Sequence, residues 1–185
     1  MLNFLSLKPC ASFSRLFCGL SLSFFFVTSI AYAERFPLIK NKAVLTECGT
    51  CHMAFPPQTL PKASWKKMMN TKSLANHFGE DLSGDLEPKV LQEILNYHVK
   101  NASDVSKSRA ARKWRIRRGE VPQRLTKVYR FNRKHSRCKK AVWAHKKVRS
   151  KANCQACHPR ITTTGSAHAN VNFLPRKIRR GCEDN

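Results

Sequence analysis

Hydrophobic positions along this chain fall into three regimes. From Leu16 to Ile30 they are nearly continuous, interrupted only by small and hydroxyl residues, and Lys8 and Arg15 precede them. Between Leu38 and Asn101 they recur at helical spacing. Leu38, Val44, Leu45 and Cys48 predict one helix, and Ser64 is placed to cap a short second one carrying Trp65, Met68 and Met69. The clearest helix runs from Pro88 to Asn101, with Pro in its first turn and Leu91, Ile94, Leu95 and His98 sharing a face. Beyond residue 105 the periodicity fades. An apolar patch at Val142, Trp143 and Val148 remains, with little else from which a protein core could be built.

The first regime reads as a targeting segment. Residues 1–33 contain no acid, begin with positive charge and end in Ala31-Tyr32-Ala33, a small-x-small site, so they form a secretory signal peptide cleaved near Ala33. The apolar run is shorter than the ~20 residues of a spanning helix. Phe17 stands before Cys18 where a lipoprotein signal requires a small residue. The expected location is the periplasm.

Charge then divides the exported part. The whole chain has 185 residues, 35 Lys+Arg and 11 Asp+Glu, a formal charge of +24. From Glu34 to Asp104 there are 9 basic and 8 acidic residues; from Val105 onward there are 24 and 3. This shift marks a boundary: an N-terminal domain over 34–104, a basic linker over 105–118 and a C-terminal segment over 119–185.

The cysteines carry the chemistry. Cys48-Gly-Thr-Cys51-His52 and Cys154-Gln-Ala-Cys157-His158 repeat one pattern, C-x-x-C-H, which is the attachment signature of c-type haem. Two thiols at this spacing add to the two vinyl groups of one haem, and the following His reaches the iron. A four-Cys zinc site would need far closer pairs and would leave both His residues unexplained. A thioredoxin-like dithiol would need flanking strands, and two simple disulfides would again make the histidines coincidental. The expected cofactors are therefore two covalently bound c-type haems, with Cys48, Cys51, Cys154 and Cys157 as attachment residues and His52 and His158 as iron ligands. Cys138 and Cys182 lie outside both patterns, and an oxidising compartment favours a disulfide between them.

An apolar-faced helix before the first pattern and another some forty residues later outline a small all-α cytochrome c domain. The sixth iron ligands stay open on residue type alone. Met68 and Met69 suit the first haem but also fit a core face; Met53 is too close to His52 to reach the opposite side. Histidine offers His77 and His98 for the first haem, and His135, His145 and His168 for the second.

Longer strings narrow the choice. Cys48-x-x-Cys51-His52-Met53-Ala54-Phe55-Pro56-Pro57, Leu60-Pro61-x-x-Ser64-Trp65, His77-Phe78-Gly79-Glu80, Phe131-x-Arg133-x-His135, Val142-Trp143 and Ala152-Asn153-Cys154-x-x-Cys157-His158 resemble the small bacterial periplasmic dihaem cytochromes c. The resemblance implies a class I-like cytochrome c domain followed by a mostly irregular, haem-wrapping C-terminal segment, with two histidines on each iron. It places His77 opposite His52 and His135 opposite His158, leaving His98 and His145 as the respective runners-up. It also implies redox partners: a membrane b-type cytochrome and a small soluble oxygen-binding haem protein. The basic linker and basic C-terminus depart from relatives, which tend to be more acidic.

Three functions compete on these grounds. An electron carrier, not an enzyme, follows if both axial positions of both irons are filled. A peroxidase-like dihaem enzyme would need an open iron, is typically about twice this length, and no acid/base constellation stands out to serve it. Nucleic-acid binding is suggested by aromatic residues among the basic ones, but export removes the chain from nucleic acid. The charge fits an acidic electron-transfer partner, with contact to an anionic membrane surface as an alternative use.

Overall fold

The computed structural model describes residues 33–182. The expected signal peptide lies outside them, apart from Ala33. Among the described residues the regular structure is helical, without a strand, and no helix is long and apolar enough to cross a membrane. Nine short helices among the described residues carry the fold: α1 (Lys42–Gly49), α2 (Lys62–Met68), α3 (Thr71–Phe78), α4 (Glu80–Asp85), α5 (Pro88–Asn101), α6 (Arg109–Lys113), α7 (Tyr129–Lys134), α8 (Lys140–Ala144) and α9 (Arg176–Arg179).

Helix α5 organises the first half. It has the predicted bounds, with Pro88 in the first turn, where a missing N–H costs nothing. Ile94 and His98, one turn apart, are fully buried, and Leu91 and Leu95 flank them half-buried. α1 and α2 both pack on α5. Asn41 caps α1 by accepting the Val44 N–H at 2.8 Å, and its amide donates to Glu93 of α5 at 2.6 Å. Leu38 precedes this helix and Leu45 faces out, at 40% and 47% exposure, so the buried face of α1 is Val44 with Cys48. Ser64 does not cap α2. The helix starts two residues earlier, immediately after Pro61, because proline is tolerated at a helix start and not inside it; Ser64 then falls within the helix and is buried.

The main core does not stop at Asp104. Ser108 caps α6 by accepting the Ala111 N–H, which turns Ala110 and Ala111 inward, and the Trp114 ring packs 5.9 Å from that of Phe36. Val128 and Phe131 belong to the same cluster. The segment read as a basic linker thus presents its arginines outward from an anchored backbone. A second, smaller cluster holds Val142 and Val148, completed by Val171 and Leu174, which show no periodic signal. A disulfide joins Cys138 to Cys182, with Cα atoms 4.7 Å apart, and closes a loop 44 residues long around this cluster.

Two stability predictions follow from these contacts. Removing the disulfide by Cys138→Ser with Cys182→Ser should cost about 4 kcal/mol by loop entropy, read as a lowered urea midpoint of the holoprotein. The second concerns His98, which stacks 4.3 Å from Trp65. Burial pushes its imidazole from 6.5 down to about 4, against the opposing hydrogen bond to the Ile94 carbonyl. The unfolded chain takes up this proton near 6.5 and the folded protein only near 4, so stability is full above 6.5 and falls between the two values. The loss should reach roughly 3 kcal/mol, and His98→Gln should flatten that part of the pH profile.

Candidate functional site

Both C-x-x-C-H patterns lie where a helical turn gives way to loop. Cys48 is in the last turn of α1, so Cys51 and His52 continue the winding beyond its end, with the His52 N–H reaching the Cys48 carbonyl at 3.4 Å. In the second pattern a single 3-10 turn over Cys154–Ala156 does the same work, and the His158 N–H donates to the Cys154 carbonyl at 2.8 Å. None of the four pattern cysteines is in a disulfide. Burial, aided by Glu47, pushes the Cys48 thiol up to about 11, and burial beside Cys157 does the same to Cys154.

Each pattern histidine has a facing partner. The rings of His52 and His77 are 6.1 Å apart between centroids, inclined at 66°. Those of His135 and His158 are also 6.1 Å apart, inclined at 87°. His77 comes from the end of α3, which Gly79 terminates at φ +86, a left-handed conformation that suits glycine. His135 follows α7 directly. Burial lowers the basicity of His77, His135 and His158, with His52 adding to the effect on His77 and His135 to that on His158.

The tautomers are fixed by backbone carbonyls. Nδ1 of His52 lies 2.7 Å from the Met53 oxygen, and Nδ1 of His135 lies 2.8 Å from the Phe131 oxygen. A carbonyl can only accept, so each Nδ1 carries the proton and Nε2 keeps its lone pair for a metal. Aromatic rings fix the planes. Phe55 lies 4.8 Å from His52, while Phe131 stacks 4.2 Å from His135 with Trp143 at 5.7 Å.

The other candidates sit elsewhere. Met68 and Met69 are buried in the main core with Trp65. His98 donates its Nδ1 proton to Ile94 and is enclosed by Trp65 and Tyr97. The half-buried His145 faces Phe173 at 6.0 Å and accepts the Lys147 N–H at Nδ1, so its other nitrogen holds the proton. His168 is exposed. Among the described residues no group of three or more His, Cys, Asp or Glu side chains could hold a metal ion, which leaves the four-Cys zinc arrangement without a site.

Around the first pair lies a cleft of about 590 Å³, open to solvent, whose lining includes Cys48, Cys51, His52, His77, Asp85 and Leu86. The second pair is braced by a strap that no sequence pattern announces. The Phe36 N–H donates to the Gly165 carbonyl at 2.8 Å and the Ala167 N–H to the Glu34 carbonyl at 2.7 Å, forming an isolated antiparallel bridge at Arg35 and Ser166. Glu34 also pairs with Arg130 of α7 at 3.2 Å, both nearly buried. The strap therefore ties the helix preceding His135 to the segment following His158. Gly165 has φ +71, and a Cβ there would overlap the Phe36 carbonyl. The single signal for this contact in the sequence is one glycine in a polar run, too common a feature to read.

Paired thiols next to a histidine, an aromatic lining, a second imidazole opposite and, in each pair, one ring whose Nε2 is left free (His52 and His135) make a donor set that fits a covalently held haem at both places. The comparisons with known proteins agree. A family model described as dihaem cytochrome c matches residues 44–165. Among solved structures, the chain is similar to a diheme cytochrome c from Rhodobacter sphaeroides, with 36% identity over 68% of this chain and 95% of that one, and a TM-score of 0.57. A second structure of the protein purified from Rhodobacter sphaeroides gives 34% identity, 68% and 96% coverage and a TM-score of 0.54. A diheme cytochrome type c from Shewanella baltica OS155 gives 31% identity, 68% and 85% coverage and a TM-score of 0.51. No curated protein matches the chain. On this family match and these shared folds, the chain belongs to the dihaem cytochrome c family, and it carries two covalently bound c-type haems.

Proposed function

We propose that this protein is an exported, periplasmic carrier of single electrons in which each iron is held between two histidines, His52 with His77 and His135 with His158. Cys48 and Cys51 attach one haem, Cys154 and Cys157 the other. The observation that carries the reading is the separation of the facing rings, 6.1 Å in both pairs. Two imidazole nitrogens on opposite sides of one metal, each about 2 Å from it, put their ring centroids roughly 6 Å apart. A bound haem supplies a one-electron iron couple.

The residues of this chain determine what that couple can do. Two imidazoles per iron leave no coordination position for a substrate, which favours transfer over catalysis and lowers the potential relative to Met/His ligation. The carbonyls of Met53 and Phe131 hold the ring protons at Nδ1, and this raises the donor strength of Nε2. The stacked Phe55 and Phe131 keep the imidazoles from rotating out of register. No general acid or base is required.

The partner reading follows from charge. Arg115, Arg117 and Arg118 are exposed beyond the buried Trp114, within a half that carries 24 basic residues. Such a field speeds encounter with an acidic redox protein and decays over a Debye length of ~8 Å at physiological ionic strength. The acidic partner is a soluble haem protein or the exposed domain of a membrane b-type cytochrome.

Ligand replacement tests the axial assignment. His77→Ala and His135→Ala should each convert one haem to high spin in the ferric spectrum, leave the other low-spin, and keep two haem masses on the chain. Cys154→Ser with Cys157→Ser should reduce the bound haem from two to one by intact mass after acid extraction. Retention of a fully low-spin spectrum in His77→Ala, with its loss in His98→Ala, would transfer the role to His98.

Salt tests the docking role. Electron-transfer rates to an acidic redox protein should drop at least tenfold between low salt and 0.5 M and should drop again when Arg115, Arg117 and Arg118 are replaced together by Gln. Rates indifferent to both would remove the docking role and leave the haem assignment in place.

A further inference from the structure

We propose that the protein's own charges hold the His135/His158 site at a higher reduction potential than the His52/His77 site, so that electrons enter at the first and leave from the second. This rests on the reading of both pairs as iron ligands and adds a direction to it.

Reduction lowers the charge at an iron by one, so a nearby cation favours the reduced state and a nearby carboxylate the oxidised one. The charged groups lining the first cleft, apart from the two histidines, are Glu47 from α1 and Asp85 from the end of α4; among the described residues no Lys or Arg lines it. At the second site the sign is reversed. The Lys151 ammonium stands 5.7 Å from the centroid of the Trp143 ring, and that ring lies 5.7 Å from His135. Lys134 is the residue immediately before His135. Glu34, on the strap, has its carboxylate paired with Arg130 of α7. Glu120 is the single acid between Val105 and Cys182, and it is exposed on a different stretch.

Lys151 is exposed and water screens part of its charge. Two rings, Trp143 and Phe131, replace water on the side toward His135 and keep the remainder effective. Solvent access acts in the same direction. Cys51 and His77 at the first site are exposed while Cys48 and His52 are half-buried, whereas Cys154, Cys157, His135 and His158 at the second are all half-buried. A drier site disfavours the ferric centre, which carries the extra positive charge, and raises its potential. Mutual repulsion between the two irons affects both equally and leaves their order unchanged.

The step itself is a one-electron exchange within the chain. With both haems bound, one electron would pass from the site held by His52 and His77 to the site held by His135 and His158, the first being oxidised and the second reduced, with no proton or bond transferred. An external one-electron donor refills the first site and an acidic acceptor drains the second.

The test is a potentiometric titration of the holoprotein, followed optically and by the low-spin ferric resonance signals. Lys134→Gln with Lys151→Gln should lower the upper wave and leave the lower one in place, while Lys151→Arg retains the parent values. Glu47→Gln with Asp85→Asn should raise the lower wave alone. Each change narrows the gap, and every 59 mV of narrowing is a tenfold shift in how one electron distributes between the sites. If the lysine pair moves the lower wave, or neither pair moves any wave, the proposal is wrong. Failure of the ligand reading is separately visible, because either the ferric spectrum of the parent would show a high-spin component or that of His77→Ala or His135→Ala would stay fully low-spin.

Discussion

Two imidazole rings must face each other at about 6 Å without collapsing together, and this must happen twice in a chain with little regular structure. Neutral imidazoles left to themselves would hydrate or stack. Here each ring has its plane set by an aromatic neighbour or by burial, and two of the four have their protons fixed by a backbone carbonyl one or four residues away. The helices are brief because their task is local: α1 and α3 end where His52 and His77 must project, and α7 ends one residue before His135.

The two slots are held apart by different means. The first depends on side-chain packing, with α1 and α2 against α5 and α2 against α3 in the ordinary manner of a helical core. The second has few apolar residues to draw on, four buried ones in its own cluster, and compensates with a disulfide, a backbone bridge and a nearly buried ion pair. A buried ion pair is a poor source of net stability, since desolvation offsets most of the attraction, but it defines one geometry sharply. Definition of geometry is what holding His135 and His158, from distant segments, face to face requires.

Much of the site was legible because its chemistry is written in contiguous residues. Cys48, Cys51 and His52, and Cys154, Cys157 and His158, announce themselves by spacing, and His77 and His135 by the strings around them; the fold brings both pairs face to face. α5 was legible to the residue because a proline opens it and its face repeats cleanly. His98 shared that face, and on periodicity alone it competes with His77; only packing distinguishes a histidine turned toward Trp65 from one turned toward His52. The strap was not legible. Its information lies in backbone pairing between Arg35 and Ser166, 131 positions apart, and in the match of Glu34 with Arg130, for which a chain rich in arginine offers many equally good decoys. Nor was the burial of Ala110, Ala111 and Trp114, since three apolar residues among basic neighbours carry too little pattern to mark a core.

The cysteines also pose a sorting problem. Among the described residues the disulfide Cys138–Cys182 stands beside the four cysteines of the two patterns, and Cys157 and Cys182 both pack against the same small cluster. The wrong partner is thus within reach of the right one during folding. The raised thiol basicity of Cys48, Cys154 and Cys157 reduces the thiolate fraction available for exchange, which protects these sulfurs once the fold has closed but not before. Thioether formation would remove them from the exchange pool permanently. Haem attachment at Cys154 and Cys157 would leave Cys138 as the one sulfur in that loop with which Cys182 can pair.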